Sequence, residues 1–451
     1  MIRHVAIVGA GFSGTLQAIN LLRHDGPSAT LIERAPVAGE GLAYGAAYPG
    51  HVLNVRAANM SALPDDPDHF VRWLAEHGED DAGATFVQRV TYGAYLRDLL
   101  AKALASCGGR LKVVHGDVTD VARSGDGARV SLAGGATIVA DTAVLAVGNL
   151  PPHDPPGFAD AGLSDERYKS DPWDRSVPLG LCDDDTVLLI GTGLTMVDIA
   201  LLLDSRGFKG RIVALSRRGL VPHRHDSSGP MVPKLAERPV APPSELVRMV
   251  RKRGEATGWR NAVDELRPYT QAMWANGSDA DRARFLRHLR PWWDVHRHRL
   301  APSVADRLAA MQAREQLEIV AGKTISAVED ANGITVTWRR RGSDSPETLT
   351  AQRIINCTGP QGDLTRTTEP LLAALYQRGV IRPDPAHLGL DVDSRAQTIA
   401  ADGTSNDWLY ALGPMTRGAF WEIVAVPDIR QQTWNLARRL SNAQWVGWEG
   451  L

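Results

Sequence analysis

Residues 5–22, VAIVGAGFSGTLQAINLL, decide the fold, and residues 187–203, VLLIGTGLTMVDIALLL, nearly repeat them. Each stretch reads as a continuous apolar strand, a glycine turn and an apolar helix. A strand with no polar alternation belongs in a parallel sheet covered on both faces. In the first copy Gly9, Gly11 and Gly14 form GxGxxG. Gly9 permits the tight turn, Gly11 lets the backbone approach a pyrophosphate, and Gly14 lets helix and strand pack closely. The helix that follows, with Ser13 in its first turn, offers unpaired N–H groups to phosphate. The next strand, ATLIE (29–33), ends on Glu33, whose carboxylate can accept hydrogen bonds from ribose hydroxyls, and Arg34 follows it. Strand, turn, helix and acid together predict a dinucleotide site rather than a bare turn.

The second copy keeps Gly191 and Gly193 and opens its helix with Leu194 and Thr195, but Met196 takes the third glycine's place. This helix should sit further from its strand. The following strand, RIVALSRRG (211–219), ends in Ser216, Arg217 and Arg218 where the first copy has Glu33. An acid there repels a ribose 2′-phosphate, whereas serine and arginine bind one, so this copy is expected to take NADPH rather than NADH.

The similarity continues downstream. Residues 111–149 and 317–359 each read as a strand, short strands joined by turns, and an apolar strand closing at a glycine, Gly148 or Gly359. Such an internal repeat implies two related α/β, Rossmann-like nucleotide-binding domains. Residues 68–104 are helical in tone with a break before Thr91. The second copy carries an arginine-rich, helix-like block from about Pro233 to Arg314. From Trp408 the chain reads as a strand, a glycine turn and a long helix starting near Val426.

The 451 residues suffice for two cores, and 43% hydrophobic with 23% charged residues is ordinary for a globular protein. A formal net charge of -2 gives no global pull toward nucleic acid or membrane. Three scattered cysteines, Cys107, Cys182 and Cys357, form no CxxC, which argues against a redox dithiol or a cysteine zinc site. The apolar start is too short for a membrane span and lacks a signal-peptide cleavage region, so a cytoplasmic protein is expected. Residues 287–299 crowd arginine, histidine and tryptophan together. Binding of single strands is one use of that chemistry, but helical spacing spreads these side chains around the helix. His296 and His298, two apart, do not share a face for a metal. The block is expected to cover the nicotinamide domain and to point Arg290, His296 and Arg297 at a carboxylate-bearing substrate or the cofactor phosphates. A purely structural, salt-bridged helix pair is the alternative.

Two dinucleotide domains in this order resemble the glutathione-reductase-like flavoproteins, and the strands ending AVGN and NCTGP are similar to the ATG-type strands of those enzymes. The resemblance implies FAD on the first turn (residues 1–165 and 360–451) and NADPH on the second (166–359, with a helical insertion at about 233–315). One motif departs: the C-terminal glycine–aspartate element reads YALGP, with Gly413 followed by Pro414. The ribityl chain would then be held by backbone or by the helix after Pro427. Residues 39–74, WDVHRHR (293–299) and GPMTRGAFWEIVAVPDIR (413–430) more closely resemble a bacterial family of FAD-NAD(P)-binding oxidoreductases. By position in that layout, Tyr44, Asn54 and Met60 line the flavin ring, and Glu422 is the acid nearest it. Asn54, Met60 and Glu422 are the candidate catalytic residues.

The domain order is also similar to that of flavin-containing, Baeyer–Villiger and N-hydroxylating monooxygenases. These place a histidine in the linker where this chain has Lys169, though Trp173 fits. The resemblance implies an NADPH-consuming flavin monooxygenase that activates molecular oxygen at flavin C4a. Its substrate would be a small polar or acidic molecule, and N-hydroxylation is one version of the reaction. An NADPH-dependent flavin reductase or oxidase and a non-enzymatic flavin-bound sensor remain as alternatives. No metal, nucleic-acid or membrane partner is expected.

Overall fold

The computed structural model describes residues 2–226, 235 and 237–441, built around two sheets. The first runs in the order Gln397–Ile399, Ser405–Ala411, Thr142–Leu145, His4–Val8, Ser28–Glu33, Leu111–His115. All neighbours are parallel except the edge strand Gln397–Ile399. The opening strand is apolar at successive positions because both of its faces are covered. Val5 and Ile7 pack under helices Phe12–Arg23 and Val426–Leu440, while Ala6 and Val8 pack against an antiparallel meander, Val118–Ser124, Gly127–Leu132 and Thr137–Ala140.

The second sheet runs Pro346–Ala351, Gly333–Arg340, Leu317–Asp330, Arg211–Ser216, Thr186–Ile190, Arg353–Asn356, Tyr168–Lys169. Here the repeat diverges. The 14-residue strand Leu317–Asp330 pairs parallel with Arg211–Ser216 at one end and antiparallel with Gly333–Arg340 at the other. In the first copy the chain breaks at Gly116, whose N–H turns onto the Glu33 carbonyl at 2.9 Å, so the meander becomes a separate sheet.

The segment that looks helical around Thr91 forms two helices, His69–Glu76 and Arg89–Ser106, over an aromatic core of Phe70, Trp73, Tyr92 and Tyr95. The insertion is a run of short helices from Pro243 to Ala313, including a π-helical turn at Phe285–Leu289 before helix Arg290–Arg297. Its expected start at Pro233 lies outside the described residues. Among the described residues no helix is long and apolar enough to cross a membrane.

Candidate functional site

The two glycine turns share one backbone design. Gly9 takes φ +99° and Gly191 φ +117°, which glycine adopts at no steric cost. The N–H of Gly9 donates to the Ile32 carbonyl and that of Gly191 to the Leu215 carbonyl, each at 2.8 Å. The adjoining strand closes over each turn. A Cβ on Gly9 would stand 2.4 Å from the Ala146 oxygen, and one on Gly191 2.2 Å from the Cys357 oxygen. The third position separates the copies. A Cβ on Gly14 would lie 1.8 Å from the Gly9 oxygen, whereas Met196 carries a side chain that is fully buried in the second core. The second helix cannot make the first one's close approach. Gly11 and Gly193 are the N-caps, and neither helix has a side-chain cap or an acidic residue in its first turn. Both therefore present free N–H groups and the positive end of the helix dipole.

The ends of the second strands differ as their residues demand. Glu33 accepts the Ala10 N–H at 2.7 Å and the Ala35 N–H at 2.9 Å, which fixes its carboxylate beside the first turn. Arg34 pairs with Glu369 at 3.0 Å. In the second copy Ser216 Oγ shares a 2.8 Å hydrogen bond with Thr192 Oγ1. Arg218 reaches the Arg287 carbonyl at 3.5 Å. Arg217 is exposed and makes no ion pair or side-chain hydrogen bond among the described residues, so a guanidinium stands free at the rim.

Both turns open into one cleft of ≈ 2970 Å³, about three times the upper volume usual for a drug-sized ligand, ~1,000 Å³. The two halves of its wall are tied across the middle. Arg89, on the first unit, pairs with Asp198, on the helix after the second turn, at 2.8 Å. His51 Nε2 donates to the Asp198 carbonyl at 3.1 Å, and burial holds its pKa below the usual histidine value. His225 Nε2 donates to the Asn54 carbonyl at 2.9 Å.

The insertion closes the cleft by docking on residues 413–430 as well as on the second sheet. Trp274 stacks on Trp421, centroids 4.6 Å apart, and donates its indole N–H to the Gly418 carbonyl at 2.8 Å. Glu422 is held in the left-handed region, φ +69°, with 4% of its surface exposed. Its Oε1 accepts the Trp293 indole N–H at 2.7 Å and its Oε2 accepts Arg297 Nε at 2.9 Å. Trp293 and Arg297 are four residues apart on helix Arg290–Arg297 and so reach the same partner. The candidate acid and a candidate substrate arginine thus meet each other as an ion pair.

Arg290 lines the cleft with its Nε 3.4 Å from Asp294. His296 does not line it; the ring stacks on His223 with centroids 4.6 Å apart and packs against Trp259. Burial, then the charges of His223 and Arg299, push its pKa down to about 4. His296 is a neutral packing group behind the wall.

Ser13, Arg34, Tyr44, Asn54, Met60, Gly148, Leu194, Thr195, Gly359 and Pro414 all line the cleft. Met60 is only 3% exposed and belongs to the aromatic core. Burial raises the Tyr44 phenol well above its ordinary pKa. At Gly413, φ +78°, a Cβ would stand 2.4 Å from Ser13 Oγ, so the C-terminal glycine turn lies directly against the first helix end. The N-terminal turn of helix Val426–Leu440 follows it into the cleft. Lys169 is buried, 3.9 Å from Asp174, while Trp173 lines the cleft.

Sequence reasoning missed Asp198, Arg267, Arg417 and Asp428. Asp198 carried a signal, being a carboxylate in the middle of the apolar run of helix Leu194–Ser205. Arg417 and Asp428 sit within the quoted stretch 413–430, but nothing in its periodicity separates them from surface charges.

The family model described as FAD-NAD(P)-binding matches residues 6–150, the part of the chain that holds the first glycine turn. No curated protein sequence matches the chain. The fold is that of solved flavoproteins. Reduced ornithine hydroxylase (PvdA) from Pseudomonas aeruginosa superposes with a TM-score of 0.69 at 15% identity, covering 98% of this chain and 99% of that one. The FAD-bound cadaverine monooxygenase DfoA from Erwinia amylovora gives 0.69 at 12%, covering 98% and 95%. L-lysine 6-monooxygenase from Pseudomonas syringae gives 0.66 at 17%, covering 98% and 100%.

Proposed function

We propose that this chain is an FAD- and NADPH-dependent monooxygenase acting on a small polar or acidic molecule, with molecular oxygen as co-substrate. One observation carries the reading. Two uncapped helix ends open into one cleft, one beside Glu33 and the other beside Ser216 and Arg217, while Arg218 lies just off the lining with its guanidinium on the Arg287 carbonyl. The donor set fits two dinucleotides: free N–H groups for each pyrophosphate, an acid for an unphosphorylated ribose, and a free guanidinium for a 2′-phosphate.

In this reading Gly9, Gly11, Ser13 and Gly14 hold the FAD pyrophosphate, and Glu33 with Arg34 holds its ribose side. Gly148, Gly413, Pro414 and the first turn of helix Val426–Leu440 replace the missing acid along the ribityl chain. Residues 1–165 and 360–451 form the FAD domain, and 166–359 the NADPH domain with its insertion. Gly191, Gly193, Leu194 and Thr195 receive the NADPH pyrophosphate, Ser216, Arg217 and Arg218 its 2′-phosphate, and Gly359 borders the nicotinamide side. FAD bound there supplies two-electron redox chemistry, taking electrons from NADPH and, once reduced, activating oxygen.

The chain's own contribution is placement and exclusion of water. Tyr44, Asn54 and Met60 wall the ring site. Both oxygens of Glu422 are already occupied, by Trp293 and Arg297, so it acts as a positioning residue that fixes Arg297 at the cleft wall rather than as a proton donor. The fold shared with an ornithine hydroxylase and with lysine and cadaverine monooxygenases supports oxygen insertion. A plain NADPH oxidase is the second reading, favoured by Lys169 at the position of the monooxygenase histidine. The two separate when protein reduced anaerobically with NADPH is mixed with oxygen. Slow, multiphase return of the oxidised flavin spectrum with late peroxide release supports the monooxygenase. Immediate single-phase reoxidation with stoichiometric peroxide overturns it.

A further inference from the structure

The wall of the cleft around Glu422 carries more positive charge than its carboxylates offset. Five guanidiniums, from Arg267, Arg290, Arg297, Arg417 and Arg430, line it together with three carboxylates, from Asp294, Glu422 and Asp428. The carboxylates are spoken for: Glu422 by Arg297 at 2.9 Å, Asp428 by Arg267 at 2.8 Å, and Asp294 by Arg290 at 3.4 Å. Arg430 donates to the Ser61 carbonyl at 2.7 Å. Arg417 alone of the five has neither an ion pair nor a side-chain hydrogen bond among the described residues. It is recessed in the wall, and burial lowers its pKa to about 10, which leaves it charged at neutral pH. A desolvated, unpaired charge is costly, and a complementary anion removes that cost.

We infer that Arg417, with Arg290 beside it, is the receptor for a carboxylate of the substrate, and that the substrate is a small molecule of no net positive charge. The inference rests on the proposed use of this cleft for substrate. The planar fork of arginine matches a carboxylate in a bidentate fit, and the surplus charge repels a diamine. A phosphate of either cofactor is the other source of such an anion. The charged groups acting on Arg417 are Arg290, Asp294 and Glu422, on the insertion and its docking loop, and none belongs to a glycine turn.

The test is calorimetric titration of the FAD-loaded protein, without turnover, with succinate, L-aspartate, L-glutamate and benzoate, and with cadaverine as the cationic control. At least one carboxylate should bind and cadaverine should not. Arg417→Gln should weaken that binding about tenfold to a hundredfold, the value of a charged hydrogen bond. FAD content and NADP⁺ affinity should stay unchanged, and Arg417→Lys should recover part of the loss. Binding of cadaverine in preference to every carboxylate, or of no carboxylate at all, overturns the inference. So does an Arg417→Gln protein that loses FAD or NADP⁺ affinity while holding the carboxylate. Thermal unfolding of both variants identifies a folding defect, in which case the Lys variant decides. A protein that binds a carboxylate through Arg417 yet returns oxygen only as peroxide sinks the monooxygenase reading and leaves this one standing.

Discussion

Gly14→Ala tests whether the first turn is built for close approach. The added Cβ would lie 1.8 Å from the Gly9 carbonyl oxygen, 3.0 Å from its carbon and 3.2 Å from the Ala146 Cβ. The obstacle is backbone inside a packed core, so helix Phe12–Arg23 must move away by more than an ångström. Overpacking of this type costs about 1–3 kcal/mol. The same shift draws the first-turn N–H groups off the pyrophosphate. Losing even one charge-assisted hydrogen bond, worth about 1.5–3 kcal/mol, weakens FAD binding about tenfold to a hundredfold. The assay is the FAD dissociation constant by flavin fluorescence, beside thermal unfolding of the FAD-free protein. Met196→Leu at the matching site of the second copy conserves volume and should cost less than about 1.5 kcal/mol without changing FAD affinity. A Gly14→Ala protein that retains FAD and melts like the wild type would refute the packing argument.

Other outcomes follow from the same geometry. Arg217→Ala removes the free guanidinium, so the NADPH KM should rise about tenfold to a hundredfold with the NADH KM unmoved; equal changes for both cofactors would sink the 2′-phosphate assignment. Glu422→Ala leaves Arg297 and Trp293 without their acceptor, a loss of about 3–5 kcal/mol for a buried pair. Glu422→Gly removes the same group but relieves the left-handed strain of about 1–2 kcal/mol. In denaturant melts the Gly variant should therefore be the more stable of the two. His296, with its folded pKa lowered to about 4 from an unfolded value of 6.5, binds fewer protons in the native state between those values. Stability should thus fall as pH drops from 6.5 toward 4. In urea titrations across that range, His296→Phe should lose part of this slope, and an unchanged slope would contradict the assignment.

The glycine turns were legible because their signature is local: spacing, strand and helix sit within twenty residues. At Gly14 the atom that forbids a Cβ is the Gly9 oxygen of the same turn, whereas the Ala146 and Cys357 oxygens that close over Gly9 and Gly191 come from more than a hundred residues away. Glu33 and the Ser216–Arg218 run were legible for the same reason, each being the end of the next strand. The division of one long strand in the second copy into two in the first was not, since it depends on Gly116 turning onto Glu33. Docking of the insertion was also hidden. Trp274 meets Trp421, and Arg297 meets Glu422, across more than a hundred residues, and helical periodicity says only which side chains share a face. That rule does explain why Trp293 and Arg297 act together. His296 is placed on the wrong side of the wall by sequence reasoning because the pocket of His223 and Trp259 that receives it forms only in three dimensions. Arg417 is distinguished by what it lacks, and a missing partner has no signature in a sequence.

The central claim is an electron path from a nucleotide on the second turn to a flavin on the first. Its most direct test is anaerobic mixing of the FAD-loaded protein with NADPH or NADH while the flavin absorbance is followed. The account predicts complete bleaching by NADPH, saturating at a concentration at least about tenfold below that needed for NADH. A flavin that neither nucleotide bleaches, or that both bleach with the same concentration dependence, would contradict it.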